Sequence, residues 1–385
     1  MRRTFSFTGA RKIVFGCGAL DTLTEEIEPW KRRRPFLVLD QNLAHSTLRE
    51  RLDTLLTKAG FSCYIFDKTE PEPPLELADY AASLAKEADC DVVIGVGGGS
   101  TMDLAKAVSV LTANRGKAVD YLGLNKVPGP GLPTVMIPTT AGTGSEVTFT
   151  AVFIRRDLQK KEGMNSPYLY PTLALLDPEL TITLPPGPTA TTGLDALCHA
   201  IESYTSKAAS PLSELLSLEA IRLIGENLRI CVHDGRNIVA REKMLLGSLY
   251  AGLGLANAGV TAVHSLSYPL GGKYGIAHGL ANTLLLPAVM YFNAPAALQK
   301  FSRIASVLGE KIDGLSLREA AYLACEAVEA LIEDCGITTT LKDFGITPGD
   351  YPELARMALE VKRPLENNPR EVTIEEAIKI YTEAE

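Results

Sequence analysis

The feature that most limits the fold of this chain is a series of short apolar runs in its first half that do not alternate with polar residues. FLVLD (36–40), CYIF (63–66), DVVIGV (91–96), TVMIP (134–138) and LALLD (173–177) are apolar on both faces. A strand of that kind has to be covered on both sides, which is the pattern of a parallel sheet sandwiched by helices. Helical periods fall between the runs, near 47–59, 75–88 and 101–111. AVFIRR (151–156) reads instead as a strand of an antiparallel ribbon. The first half is therefore expected to be an α/β domain built on a parallel sheet.

The texture changes after LPPGPT (184–189). Strand-like runs stop and helical periods take over at 192–205, 211–228, 238–256, 296–308, 317–334 and 374–383. The proline cluster at 185–188 is read as the boundary, giving an α/β domain over 1–185 and an all-helical domain over 186–385. One large α/β domain with a helical insertion is the other organisation the pattern allows. A chain of 385 residues, 46 % hydrophobic and 22 % charged, can bury a core of that size.

Charge excludes some partners. The 38 basic and 46 acidic residues leave a net charge of −8, which argues against nucleic acid and anionic membranes. No run of eighteen apolar residues suggests a membrane span, and MRRTFSFTGARKIVFG lacks the apolar core of a signal peptide. The seven cysteines are dispersed, odd in number and without a CxxC pair. They are expected to be buried free thiols in a reducing cytoplasm.

GVGGGSTMDLAK (95–106) follows a strand and opens a helix. Consecutive glycines let backbone N–H groups approach a phosphate, and a helix N-terminus favours negative charge there. Ser100 is expected to cap the helix with Asp103 completing a capping box. The motif is neither G-x-G-x-x-G nor a Walker loop, and a tight strand–helix turn with no ligand has the same sequence. Asp40 ends the FLVLD run. A carboxylate there can accept hydrogen bonds from a ribose and repel a 2′-phosphate, favouring NAD over NADP. An aspartate that merely starts a loop fits equally well. TTAGTGSEVT (139–148) follows TVMIP, at a strand's C-terminal end where α/β ligands bind.

The second half holds a candidate metal site. Of five histidines, three lie in TTGLDALCHAIESY (191–204) and AVHSLSYPLGGKYGIAHGLAN (262–282). Asp195 and His199 are one helical turn apart on one face. With His264 and His278 they make a mixed shell of three imidazoles and a carboxylate, suited to Fe(II) or Zn(II) rather than Mg(II) or Ca(II). The pair alone is better explained as satisfied core residues; the two glycine-flanked histidines shift the balance. Cys198 points about 100° away from His199 and is read as packing.

Taken together, GGGSTMD, PTTAGTGSEVT, GLDALCHAIESY and HGLAN resemble the iron-containing (group III) alcohol dehydrogenases. The resemblance runs from KIVFGCGAL (12–20) to NNPREVT (367–373). It implies a dehydroquinate synthase-like fold, shared with glycerol dehydrogenases, with the active site in the cleft. It makes Asp195, His199, His264 and His278 the metal ligands. It assigns Gly97, Gly98, Gly99, Ser100 and Asp103 to the pyrophosphate, Thr139, Thr140 and Thr143 to the cofactor lining, Asp40 to the choice of NAD, and Lys161 to the nicotinamide. It also implies hydride transfer between NAD(H) and a small alcohol or aldehyde, and a homodimer. Two positions depart from the family. Tyr268 replaces a histidine four residues after His264, and Gly275 stands where many relatives carry a histidine. Tyr268 is thus either a substitute proton carrier or, preferably, a packing residue. A dehydroquinate synthase-like lyase using NAD transiently, and a non-catalytic NAD-binding protein, are the competing readings.

Overall fold

The computed structural model describes residues 4–158 and 160–385. The strands are β1 (Lys12–Phe15), β2 (Pro35–Asp40), β3 (Tyr64–Thr69), β4 (Val92–Gly97), β5 (Gly123–Leu124), β6 (Thr134–Pro138), β7 (Thr150–Arg155), β8 (Lys160–Asn165) and β9 (Leu173–Leu176). The chain forms two compact units. One comprises Gly9–Thr140 and Gly144–Thr183. The other comprises Leu184–Glu385 with Ala141–Thr143 and the N-terminal segment ending at Thr8.

The first unit carries a six-stranded sheet in the order β1-β9-β6-β4-β2-β3, with every pairing parallel. Its helices are α1 (Leu23–Ile27), α2 (Thr47–Lys58), α3 (Leu75–Glu87) and α4 (Gly99–Ala113). The unalternating runs behave as their composition requires. Along β2, Phe36 and Val38 enter a core with α3 and α4, while Leu37 and Leu39 enter another with α1 and α2. Ala78, Ala81, Ala82 and Ala85 give α3 a small-residue face buried in the core it shares with α4, Phe36 and Phe66. β7 and β8 pair antiparallel in a separate ribbon with β5, in the order β5-β8-β7, as AVFIRR suggested.

The second unit is helical: α5 (Pro186–Thr205), α6 (Pro211–His233), α7 (Ile238–Ala258), α8 (Ala262–Tyr274), α9 (His278–Asn293), α10 (Leu298–Val307), α11 (Leu317–Asp334), α12 (Tyr351–Leu359), α13 (Lys362–Asn367) and α14 (Ile374–Glu383). The proline cluster stands at the start of this unit's main segment, which begins at Leu184. Pro186 and Pro188 lie in the first turn of α5, where a missing N–H costs nothing because the first helical amides have no partner. Among the described residues no single helix is long and apolar enough to cross a membrane. No disulfide joins the seven cysteines. Five are buried, but Cys63 is only partly covered and Cys17 is exposed, so the expectation of buried thiols fails at these two.

Candidate metal centre

Every residue of α5 from Gly193 to Thr205 is buried. Such a helix should be apolar all round, yet it carries Asp195, His199 and Glu202, each 2–3 % exposed. The spacings of four and three residues put them on one stripe. Charged groups so deeply buried need partners, and these come from α8 and α9. His264 stands in the first turn of α8, and His278 is the first residue of α9. Gly279 permits the approach: a Cβ there would lie 2.6 Å from the Thr191 carbonyl oxygen on α5. α8 ends on Gly275 in the left-handed region (φ 67°), with Gly275 N–H donating to Gly271 O and Ile276 N–H to Leu270 O. That Schellman closure turns the chain towards His278, and its left-handed backbone favours glycine at 275.

The structure thus brings Asp195, His199, His264 and His278 together. One ligand atom from each lies within 4.8 Å of all the others. His199 Nε2 is 3.0 Å from His264 Nε2, and Asp195 Oδ1 is 3.8 Å from His199 Nε2 and 3.9 Å from His278 Nε2. Two ligands bonded to one ion at about 2.0–2.2 Å cannot be much further apart than this. Burial raises the Asp195 carboxyl, but His199, His278 and His264 outweigh it and hold the group below the usual carboxylate range. Burial lowers His199 against the pull of Asp195. An ionised carboxylate and a neutral imidazole are the forms that bind a metal. The donor set therefore fits a divalent transition ion.

Sequence reasoning missed two residues of this centre. Glu202 Oε2 accepts from His264 Nδ1, while Oε1 accepts from Thr261 N–H (2.9 Å), Thr261 Oγ1 (2.8 Å) and Val263 N–H (2.9 Å). One carboxylate thus caps α8 and fixes the His264 tautomer with Nε2 aimed at the other ligands. Burial alone would raise its carboxyl; His264 and Thr261 bring it below the ordinary value. Its signal was its place on the Asp195/His199 stripe. The other is Asn282, one turn beyond His278 within HGLAN. Glu202→Gln is expected to weaken metal binding about 10–100-fold while the chain stays folded. A competitive Zn(II) titration checks this, and unchanged affinity would deny Glu202 the orienting role.

Tyr268 lies against the site. Its ring meets His264 edge-on at 6.3 Å and His278 at 6.2 Å between centroids. Cys198 turns its thiol to Glu202 Oε2 at 3.7 Å, and burial raises it well above the usual thiol range.

Within the sheet unit, Gly98 is the N-cap of α4, with no side-chain cap. The expected Ser100–Asp103 capping box is absent. Ser100 Oγ accepts from Glu72 N–H at 3.0 Å, and Asp103 accepts from Ser145 Oγ (2.6 Å) and Val152 N–H (2.8 Å). The expectation failed because α4 starts at Gly99, so Ser100 already lies inside it, and the buried Lys106 and Ser145 draw Asp103 into the core. Gly97 (φ 155°) has no room for a side chain, since a Cβ would lie 2.6 Å from Thr101 Oγ1 and 3.0 Å from Asp40 Cβ. Asp40 therefore stands beside the glycine loop. Its Oδ1 accepts from Asn42 N–H (2.9 Å) and Nδ2 (3.0 Å). Thr139 N–H donates to Gly97 O at 3.0 Å, and Thr140 adjoins Gly98. Thr143 falls in the segment that belongs with the helical unit. Lys161, on β8, is ion-paired with Glu72 at 2.6 Å.

Residues 10–178 match the family described as iron-containing alcohol dehydrogenase, and 189–385 match the Fe-containing alcohol dehydrogenase family, C-terminal. The chain is 41 % identical over 357 residues to long-chain-alcohol dehydrogenase 1 of Geobacillus thermodenitrificans (strain NG80-2), covering 92 % of this chain and 90 % of that one. A crystal structure of 1,3-propanediol oxidoreductase superposes with a TM-score of 0.96 at 36 % identity, covering all of both chains. Sulfoacetaldehyde reductase from Bifidobacterium kashiwanohense, solved in complex with NAD+, gives a TM-score of 0.90 at 31 % identity, covering 100 % of this chain and 99 % of that one.

Proposed function

The chain belongs to the iron-containing alcohol dehydrogenase family, and on that premise we propose that it interconverts an alcohol and its aldehyde or ketone by hydride transfer to and from NAD(H). The observation that carries the reading is the convergence of Asp195, His199, His264 and His278 from three helices, with ligand atoms within 4.8 Å of one another. These four would hold Fe(II), the ion in the family's name, or Zn(II), which takes the same donors. When bound, the ion supplies Lewis-acid polarisation of the substrate oxygen, and the nicotinamide accepts or gives the hydride.

The chain's own residues do the rest. Glu202 keeps the proton of His264 on Nδ1, so Nε2 remains a lone-pair donor. Gly97, Gly98, Gly99 and Ser100 line the start of α4, where backbone N–H groups and the helix dipole suit a pyrophosphate. Asp103 supports that loop from within the core, and no direct phosphate contact is proposed for it. Thr139 and Thr140 border the loop. Thr143 and Lys161 keep the cofactor-lining roles that the family suggests. A small uncharged alcohol or aldehyde is the proposed substrate. Lys273, the one cation of the ligand segments, is engaged with Glu353 at 2.6 Å, which disfavours a lyase acting on an anionic substrate.

The test is a spectrophotometric panel of alcohols and aldehydes with NAD(H) and NADP(H), after loading with Fe(II) or Zn(II). The reading expects nicotinamide reduction with at least one alcohol. A metal-loaded chain that turns over none of the panel contradicts it.

Two predictions accompany the proposal. Wild type should prefer NAD(H), because the Asp40 carboxylate would meet a 2′-phosphate as a like charge. Asp40→Gly should shift the kcat/KM ratio towards NADP(H) by about tenfold or more, like-charge juxtaposition costing several kcal/mol. Equal kcat/KM for both cofactors in the wild type would refute this role. Tyr268→Phe should change kcat by less than about tenfold, because the ring packs on two ligand histidines and Phe fills nearly the same volume. A proton carrier would cost about 10²–10⁴-fold and alter the alkaline limb of the pH–rate profile.

A further inference from the structure

Asn282 is wholly buried and lies four residues after His278 on α9. Its amide nitrogen reaches three of the four candidate ligand atoms. Nδ2 is 2.8 Å from Asp195 Oδ1, 3.2 Å from His264 Nε2 and 3.2 Å from His278 Nε2. Its other polar atom, Oδ1, is buried with no hydrogen-bond partner. An unsatisfied buried acceptor is costly. The arrangement is retained because the reverse one is worse: flipping the amide would set Oδ1 against the lone pairs of a carboxylate and two imidazoles.

The ligand atoms impose a limit on these contacts. A neutral imidazole nitrogen has one lone pair, so Nε2 can accept a proton or bind a metal, but not both. A carboxylate oxygen has two and can do both at once. Nδ2 has two hydrogens for these three acceptors, so one serves Asp195 and the other is shared between His264 and His278. Metal loading must therefore end the shared bond while leaving the contact with Asp195 intact.

We infer that Asn282 is a positioning residue that holds Asp195, His264 and His278 together before the metal arrives, and that the metal displaces it from the histidines. The inference rests on the proposed metal role of those side chains and goes beyond it. In the metal-free chain the amide supplies hydrogens to acceptors that would otherwise face each other. In the loaded chain the ion takes over that task. A group that stabilises the empty state more than the loaded state opposes binding by the difference. Asn282 therefore gives the empty site order at some cost in affinity. This is the opposite of Glu202, whose contact with His264 Nδ1 persists in both states.

The test compares wild type with Asn282→Leu, which keeps the volume, and Asn282→Ala, which does not. Co(II) affinity is measured by competitive titration, and melting is followed by far-UV circular dichroism with and without Co(II). Both variants are expected to bind Co(II) about tenfold more tightly, the equivalent of about one neutral hydrogen bond no longer lost on loading. Their metal-free forms should melt lower than wild type, and their loaded forms should recover most of the difference. Weaker Co(II) binding in both variants would make Asn282 an ordinary orienting residue and overturn the inference. Unchanged affinity with an equal loss of melting temperature in both states would reduce it to packing. A wild type that binds no Co(II) overturns the metal reading itself, whereas the other two failures leave that reading standing.

Discussion

His264→Ala is expected to remove nearly all alcohol-dependent NAD reduction, lowering kcat/KM by more than about a thousandfold while the helical circular dichroism signal is retained. Lewis-acid stabilisation of developing charge is worth several kcal/mol, and each 1.4 kcal/mol is about a factor of ten in rate. His264 also does more than one ligand's work. Its Nε2 lies 3.0 Å from that of His199, and its Nδ1 is bound by Glu202. Removing the ring leaves three ligands. It also leaves Glu202 buried without its main counter-group, although the amides of Thr261 and Val263 still engage that carboxylate. The measurement is elemental analysis of the variant beside its steady-state kinetics. One metal per chain together with wild-type turnover would show that His264 is no ligand.

Lys106→Met is expected to destabilise the fold by about 3–5 kcal/mol, the usual result of removing one partner of a buried charge cluster. Lys106 is 1 % exposed and lies inside the sheet unit, on α4. Its Nζ donates to Ser145 Oγ (2.6 Å), Thr148 Oγ1 (3.1 Å) and the Thr150 carbonyl (2.9 Å), and it stands 3.6 Å from Asp103 Oδ1. These bonds tie TTAGTGSEVT to the helix behind the glycine loop. Burial lowers the lysine and raises the Asp103 carboxyl, each more strongly than the other's charge can offset. Glu146 is pushed up to about 7, first by burial, with Lys106 only partly opposing.

The pH dependence follows from those directions. Between the ordinary glutamate value of 4.5 and about 7, folded Glu146 keeps a proton that the unfolded chain has lost. Stability therefore falls as pH rises through that window. Without the Lys106 cation both carboxyls rise further. The deficit of Lys106→Met should be largest above pH 7 and shrink as the pH is lowered towards 5. Urea unfolding at several pH values reads this directly. A deficit below about 1 kcal/mol, or one independent of pH, would show that the cluster contributes little.

The parallel sheet was legible because both-face burial leaves a compositional mark. FLVLD and DVVIGV carry no polar residue between their ends, and each became a central strand. β1 was missed because KIVF is four residues long, pairs only with β9 at the edge and is largely uncovered, so its composition is under little pressure. α8 and α9 were not read as helices because each carries a proline, Pro269 and Pro287, and α8 also has paired glycines. Those breakers are tolerated because the tight contact of α9 with α5 and the closure at Gly275 supply what local propensity does not.

Within the candidate site, Asp195 and His199 were visible as a one-turn pair, and scarcity brought His264 and His278 to attention. Glu202 was missed although it shares the Asp195/His199 stripe, since a glutamate gives no sign in sequence that its partner lies 62 residues away, and Asn282 gives none that Asp195 lies 87 residues away. Asp103 was misread for a related reason. Its spacing from Ser100 is that of a capping box, and only the folded core shows that Lys106 and Ser145 compete for it.

The proposed function requires one metal held by Asp195, His199, His264 and His278 for alcohol–carbonyl redox chemistry with NAD(H). Its most direct test is to strip the wild-type chain with a chelator, return Fe(II) anaerobically in measured steps and follow NADH formation from an alcohol turned over by the loaded enzyme. Activity should be negligible at the start, then rise linearly and break at one ion per chain. A stripped chain that reduces NAD at the full rate, or a reloaded chain that never gains activity, would contradict it.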